Sequence, residues 1–383
     1  MEWPIKKLSD ICENLDSKRV PITKKDRIEG PYPYYGASGV VDSVSDYLFD
    51  EDLLLVSEDG ANLLARTYPI AFSISGKTWV NNHAHVLRFP SLVSQRFVEY
   101  YLNSISLKEY VSGMAQPKLN QKSLNSILIP DPEHNVKSEI VDFLDKAFAD
   151  IEQARVNTEQ NLQNARELFD SYLQQVFSEC GEGWKKTTLN ELCTKFEYGT
   201  SSKSSQEGEV PVIRMGNIQD GRIVMDKLVY SLNEEDNQKY HLNFNDVLFN
   251  RTNSAELVGK TAIYKSEERA IFAGYLIRIH RNEKLLNADY LNFYLNSPIA
   301  RKYGEQVMSQ STNQANISGT KLKTYPISIP VSLEEQQSIV EKISTLKEKV
   351  EELEATHKSK LAALDELKQS LLQQAFTGQL TQG

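Results

Sequence analysis

The chain repeats itself once, and this restricts its fold more than any other feature. Trp3, Leu8, Ile11 and Cys12 recur as Trp184, Leu189, Leu192 and Cys193. Tyr101, Leu102, Asn103 and Ser104 recur as Tyr294, Leu295, Asn296 and Ser297, and the pair Ile129 and Pro130 as Ile329 and Pro330. The run from Leu173 to Phe177 (Leu-Gln-Gln-Val-Phe) recurs as Leu372 to Phe376 (Leu-Gln-Gln-Ala-Phe). The offset drifts between 181 and 200 residues while the order holds, and loops absorb such drift at little cost. A sequence of this kind folds as two similar units.

Each repeat ends in a helical pattern. The apolar spine of the first is Ile140, Leu144, Ala147, Ile151, Ala154, Thr158, Leu162, Ala165, Phe169, Tyr172 and Val176. The second gives Ile339, Ile343, Leu346, Val350, Leu353, His357, Leu361, Leu364, Lys368, Leu371 and Ala375 at the same spacings. Alternating steps of three and four residues form a coiled-coil seam, and the same phase shift in both copies predicts that the two helices pair with each other. Helix 2 starts where the second α/β region ends, close to where helix 1 stopped, so the pair is expected to be antiparallel. A helix of 43 residues spans about 65 Å and would act as a ruler.

The expected class is therefore α+β: two similar α/β domains joined by a pair of long antiparallel coiled-coil helices, with pseudo-two-fold internal symmetry. The expected divisions are residues 1–135, a spacer helix at 136–178, residues 179–332, and a second spacer helix at 333–378. Short apolar runs at residues 53–56, 86–89, 212–215 and 276–279 read as strands, separated by loops rich in Tyr, Asn, Ser, Gln and Gly.

Composition excludes several classes. No apolar run approaches the roughly 20 residues of a membrane span, and the first residues lack the apolar core of a signal peptide. A soluble, cytoplasmic protein with no membrane partner is expected. Cys12, Cys180 and Cys193 show no metal-ligand spacing, and His83 and His85 lack a third ligand, so no metal site is expected. No P-loop, dinucleotide fingerprint or amino-methyltransferase tetrad is present. Asp131, Glu133 and Lys137 resemble a nuclease cluster only superficially, because acids after a proline belong at a helix start. No catalytic residue is therefore expected. The repeated Trp and Cys read as core packing.

A net charge of −9 argues against a DNA binder until its location is considered. Residues 136–178 carry four Lys/Arg against eight Asp/Glu, and residues 333–376 carry six against nine. The two α/β regions are left nearly neutral and can be locally basic. Side chains suited to base edges and phosphates occur in the loops of both halves. In the first these are Lys18, Arg19, Lys24, Lys25, Arg27, Tyr35, Lys77, Gln116, Lys118 and Asn120. In the second they are Tyr198, Ser202, Lys203, Arg214, Asn217, Arg251, Asn253, Ser254, Asn313 and Gln314. Arg214, Arg251 and Asn253 are expected to read bases, and Lys18, Arg19 and Lys24 to meet phosphate.

Residues 32–62, 211–221 and 250–260, with Ile329 and Pro330 leading to Glu334, Glu335 and Gln336, resemble the target-recognition domains of type I restriction-modification specificity subunits. The ending from Leu371 to Leu380 resembles the end of their distal helical region. One departure is that the first helix enters through Asp131, Pro132, Glu133, His134 and Asn135, without the Glu-Gln pair seen at Glu335 and Gln336. The resemblance implies a subunit without its own active site that reads a bipartite target on double-stranded DNA. Two methyltransferase subunits would use S-adenosylmethionine on adenine, and restriction subunits would use ATP and Mg; these cofactors belong to the partners. The alternative is a coiled-coil scaffold whose end domains bind proteins.

Overall fold

A computed structural model describes residues 3–113, 116–179, 181–312 and 314–377. Cys180 and Asn313 lie outside the described residues. The chain divides into two compact units, residues 1–159 with 359–383 and residues 160–358. Both boundaries fall inside the long helices His134–Ser178 and Leu333–Phe376. The α+β class holds.

Both units build the same frame. In the first, a sheet runs in the order Glu13–Asn14, Ala84–Arg88, Leu53–Ser57, Ala71–Ile74. In the second the order is Cys193–Tyr198, Leu276–Arg281, Val247–Asn250, Thr261–Ile263, extended by Arg222–Ile223 and Ile218–Gln219. A second sheet in each holds one parallel pair: Tyr32–Gly36 with Lys77–Val80, and Val210–Ile213 with Ile271–Phe272. The central strands are buried on both faces, so they read as unbroken apolar runs rather than alternating ones.

The repeated motifs do the same work in both units. Ser91 and Asn287 cap the helices Leu92–Ser104 and Ala288–Asn296 by accepting from backbone N–H groups of the first turn. Asn103 accepts from Ala71 N and donates to Ala71 O; Asn296 accepts from Thr261 N and donates to Thr261 O. Each amide thus satisfies both backbone polar groups of the first residue of a strand and ties helix to sheet. Cys12 and Cys193 pack inward, and burial pushes both thiols up to about 12.

In each unit, segments of the two long helices run antiparallel. In the first, the Lys368 ammonium lies over the Phe148 ring at 5.1 Å and Arg155 pairs with Asp365. In the second, Arg166 pairs with Glu354 at 3.0 Å. All the spine positions of the first helix are buried or half-buried, but Leu353 of the second is 46% exposed. Toward the helix C-termini the buried face moves by one residue, to Leu173, Phe177 and Leu372, because there each helix enters a domain core. Phe177 meets Tyr290 and Tyr294 at 5.2 and 5.5 Å, all edge-on. Phe376 meets Phe97 and Tyr101 in the same way, at 5.2 Å each.

The helix starts are fastened differently. Gln336 is fully buried: its Nε2 donates to Leu285 O and Pro330 O, and its Oε1 accepts from Asn287 N. The corresponding Lys137 pairs instead with Asp131, which also holds Lys6. Burial pushes the Asp131 carboxyl up, but hydrogen bonds from Lys137 and Lys6 outweigh it and hold it below the usual range.

Replacing Phe177 or Phe376 by Ala should lower stability by about 3 to 5 kcal/mol, with Phe376 at the lower end because it is less buried. Urea denaturation of the two variants measures this.

Candidate nucleic-acid interface

In the second unit the central strand Val247–Asn250 runs out into Arg251. The chain then forms Thr252–Asn253, which pairs with Gln314–Asn316, itself paired with Ser309–Ser311. This three-stranded ribbon carries short amides and hydroxyls, side chains that suit base edges. The Arg251 guanidinium lies over the Tyr198 ring at 4.9 Å, and its Nη2 donates to Asn316 Oδ1 at 3.3 Å. Asn316 donates in turn to Thr252 Oγ1, and Tyr198 OH accepts from Gly319 N. Arg251, Asn253, Ser254 and Gln314 therefore converge on one ribbon, with Tyr198 beneath it; Ser254 and Gln314 are exposed.

The other candidates of this half lie elsewhere in the unit. Ser202 and Lys203 are exposed on the loop after Thr200, whose hydroxyl oxygen accepts from Ser202 N. Arg214 is half-buried and donates to Lys227 O. Asn217 is a correction. It is buried, its Oδ1 accepts from Arg214 N, and its Nδ2 donates to Val224 O and Asp226 O, so its amide is fully used in shaping a turn.

The same frame in the first unit carries opposite charge. Leu119 N donates to Glu58 O as Ile317 N donates to Arg251 O, so Glu58 occupies the place of Arg251. Glu58 binds Arg19 Nη1 at 2.7 Å and Lys118 Nζ at 3.2 Å. Burial pushes its carboxyl up, but Arg19, His85 and Lys118 together hold it below the usual range. Beneath lies His85, 1% exposed, with Nδ1 2.6 Å from Asp16 Oδ2 and Nε2 2.7 Å from Leu119 O.

This network corrects one further expectation. Arg19 also donates to Ala84 O and Asp16 O, so its guanidinium braces the frame and is not available to phosphate. Asn120 stays exposed, with its Oδ1 accepting from Ser123 N at the start of a short helix. Lys18, Lys24, Lys25, Gln116 and Lys118 stay exposed. Arg27 pairs with Asp42 and stacks over Tyr34 at 4.2 Å. Lys77 lies over Tyr47 at 4.7 Å, and Tyr35 packs near Phe72. The sequence reading missed Asn316, which orients Arg251, and the exposed Val40 and Val41 beside a tight turn, which suit thymine methyl groups. The β-branched pair after Gly39 was the available signal.

A buried ionic cluster stiffens the second sheet behind the ribbon. Glu197 meets Arg278 Nη2 at 2.6 Å, Lys195 at 2.6 Å and His280 at 2.9 Å, and Arg278 also reaches Asp246 at 3.0 Å. Burial opposes ionisation of Glu197, but these donors hold its carboxyl down to about 2. Among the described residues no group of His, Cys, Asp or Glu is placed to hold a metal ion, and no helix is long and apolar enough to cross a membrane.

With this geometry in place, the class is clear: the chain belongs to the family of type I restriction modification DNA specificity domains, whose model matches residues 1–160 and 181–363. Its function is the recognition of DNA sequence, and the scaffold alternative is not favoured. It is 26% identical over 364 residues to a putative type I restriction enzyme specificity subunit of Haemophilus influenzae, covering 92% of this chain and 90% of that protein. It is 25% identical over 346 residues to the EcoKI specificity subunit of Escherichia coli, covering 82% and 74% respectively. The fold is shared with a chain solved from a type I R-M system, at a TM-score of 0.74, 17% identity and coverage of 98% and 97%. It is also shared with the HsdS subunit of Thermoanaerobacter tengcongensis, at a TM-score of 0.56, 18% identity and the same coverage.

Two outcomes check this site. Replacing Lys24 and Lys25 together by Ala should lower the salt slope of DNA binding by up to about 2, whereas Arg19→Ala should act through stability and leave the slope alone. For Glu197, whose carboxyl is depressed, stability is fully present above its ordinary 4.5 and is lost as pH falls toward about 2. Glu197→Gln should therefore cost on the order of 3 kcal/mol at pH 7. That deficit should shrink as pH drops through this window, as followed by denaturation at a series of pH values.

Proposed function

We propose that this chain reads a bipartite, asymmetric sequence on double-stranded DNA, with residues 1–135 and 179–332 each reading one half. The observation carrying this reading is the inversion at one point of a shared frame. Where the first half places Glu58 under Lys118 and Arg19, the second places Arg251 over Tyr198 beside Asn253 and Gln314. Guanidinium pairs best with guanine and amides with adenine, so two such surfaces select different bases.

The chain has no active site of its own in this reading, and works in the cytoplasm on host and incoming DNA. Two methyltransferase subunits dock on it and methylate adenine with S-adenosylmethionine, and restriction subunits add ATP- and Mg-dependent cleavage. Exposed Phe143, Val156 and Leu367 in the first unit, and Leu168 and Leu353 in the second, lie on the long helices and offer apolar contact to such partners.

The experiment is selection of bound duplexes from a randomised library by the assembled complex, with methylome sequencing of a host carrying it. Arg251→Ala should cost roughly 1 to 3 kcal/mol in binding and relax only the half read by the second domain. Equal weakening on all sequences would place Arg251 on phosphate.

A further inference from the structure

The two units build the same sheet but finish it differently. In the second, Thr261–Ile263 is not the last strand, because Ile263 N donates to Gly221 O at 3.3 Å and Arg222 pairs with Ile263 in parallel. The strand beyond it belongs to a hairpin, Ile218–Gln219 with Arg222–Ile223, turned at Asp220 and Gly221 with φ of 47° and 80°. Two left-handed residues in an Asp-Gly turn match the twist of paired strands. The tip is gripped from two sides, since Asn292 Nδ2 donates to Gly221 O at 2.9 Å and Lys347 Nζ donates to Asp220 O.

The first unit ends its sheet at Ala71–Ile74. Asn103 engages Ala71 as Asn296 engages Thr261, so Ser73 stands where Ile263 stands. Alternate residues of an antiparallel strand face alternate sides. Ala71 faces away from Leu53–Ser57 to meet Asn103, and the Ser73 N–H therefore also faces the open edge. Among the described residues no backbone acceptor meets it. An unpaired edge is a template for another strand.

Beside that edge lies a groove of about 1410 Å³ formed wholly within the first unit. Phe72, Tyr100, Phe148 and Leu372 line it, and Leu64 and Tyr68 stand exposed at its lip. The residues that grip the hairpin in the second unit have changed. By the repeat, Phe148 stands for Lys347, and Glu99, taken by Arg96 and Ser73 Oγ, stands for Asn292. The lining also carries five cations, Arg66, Arg96, Lys108, Arg155 and Lys368, against the three acids Glu99, Asp145 and Asp365. Arg96 and Arg155 are paired with Asp145 and Asp365, which disfavours phosphate, while the apolar floor and free strand donor favour a polypeptide.

We propose that this groove receives an extended, apolar segment with an acidic flank from a methyltransferase subunit, which adds to the sheet at Ser73. Main-chain hydrogen bonds would hold the added strand, and the aromatic floor would select its side chains. This rests on the reading of methyltransferase partners above. It makes the two halves unequal, because the second already fills the same place with its own hairpin.

The test uses the full chain and the methyltransferase subunit encoded with it. Amide hydrogen exchange at Ser73 should slow at least tenfold when the complex forms. Ser73→Pro deletes the outward N–H and the hydroxyl but leaves the ladder to Leu53–Ser57 intact, and Ser73→Ala deletes the hydroxyl alone; the first should weaken assembly at least tenfold and the second should not. Phe148→Lys should weaken assembly likewise. Unchanged exchange at Ser73 in a complex that forms overturns the strand addition and leaves the partner reading standing. Failure of the wild-type chain to bind the subunit at all overturns both. Should Ser73→Pro not fold, the exchange measurement on wild-type protein decides alone.

Discussion

The structure depends on two aromatic plugs. Phe177 ends the first long helix inside the core that holds Tyr290 and Tyr294, and Phe376 ends the second inside the core that holds Phe97 and Tyr101. The second core comes from one continuous stretch of sequence, and the first draws on two stretches that lie far apart in the chain. Each needs the start of one long helix and the end of the other, with Leu173 and Val340 in one cluster and Leu144 and Leu372 in the other. Edge-to-face ring contacts add to the area buried, so loss of either plug is felt by a whole domain.

On this frame the halves diverge where they meet solvent. The Asn103 and Asn296 amides, the helix caps and the buried central strands are shared, and they demand the same residue types because they satisfy the same backbone groups. Glu58 and Arg251 satisfy no such demand. Their side chains leave from equivalent backbone, and each is balanced by its own neighbours: cations around Glu58, and an aromatic face and an amide for Arg251.

The long helices and the repeated units were legible because periodicity survives in sequence. The spine steps located both helices, and the run ending in Phe177 and Phe376 marked both plugs. Leu353 escaped because spacing gives the seam but not where a helix leaves it. The site was legible only in outline. Lys18 and Arg19 are neighbours of similar charge, yet one is exposed and the other is taken by Glu58, a residue 39 positions away. Asn217 and Asn253 both read as loop amides in the sequence, and burial and hydrogen-bond partners set them apart. The Asp220-Gly221 hairpin carried a local turn signal, but the sheet edge it fills lies 41 residues on, between Arg222 and Ile263.

The plugs also impose an order on synthesis. The first domain's core is lined mainly by residues from 1–159, but Leu372, Ala375 and Phe376 are made only after the whole of residues 160–358. At roughly 5 to 20 residues per second, the interval between the end of the first unit's N-terminal segment and its closing helix is on the order of 10 to 40 s. Through that interval Phe97, Tyr101 and Leu102 face an unfinished pocket. The second unit, continuous from residue 160 to 358, meets no such wait. The nascent chain therefore completes its second half before its first, and the earlier half is the one that needs shelter from aggregation.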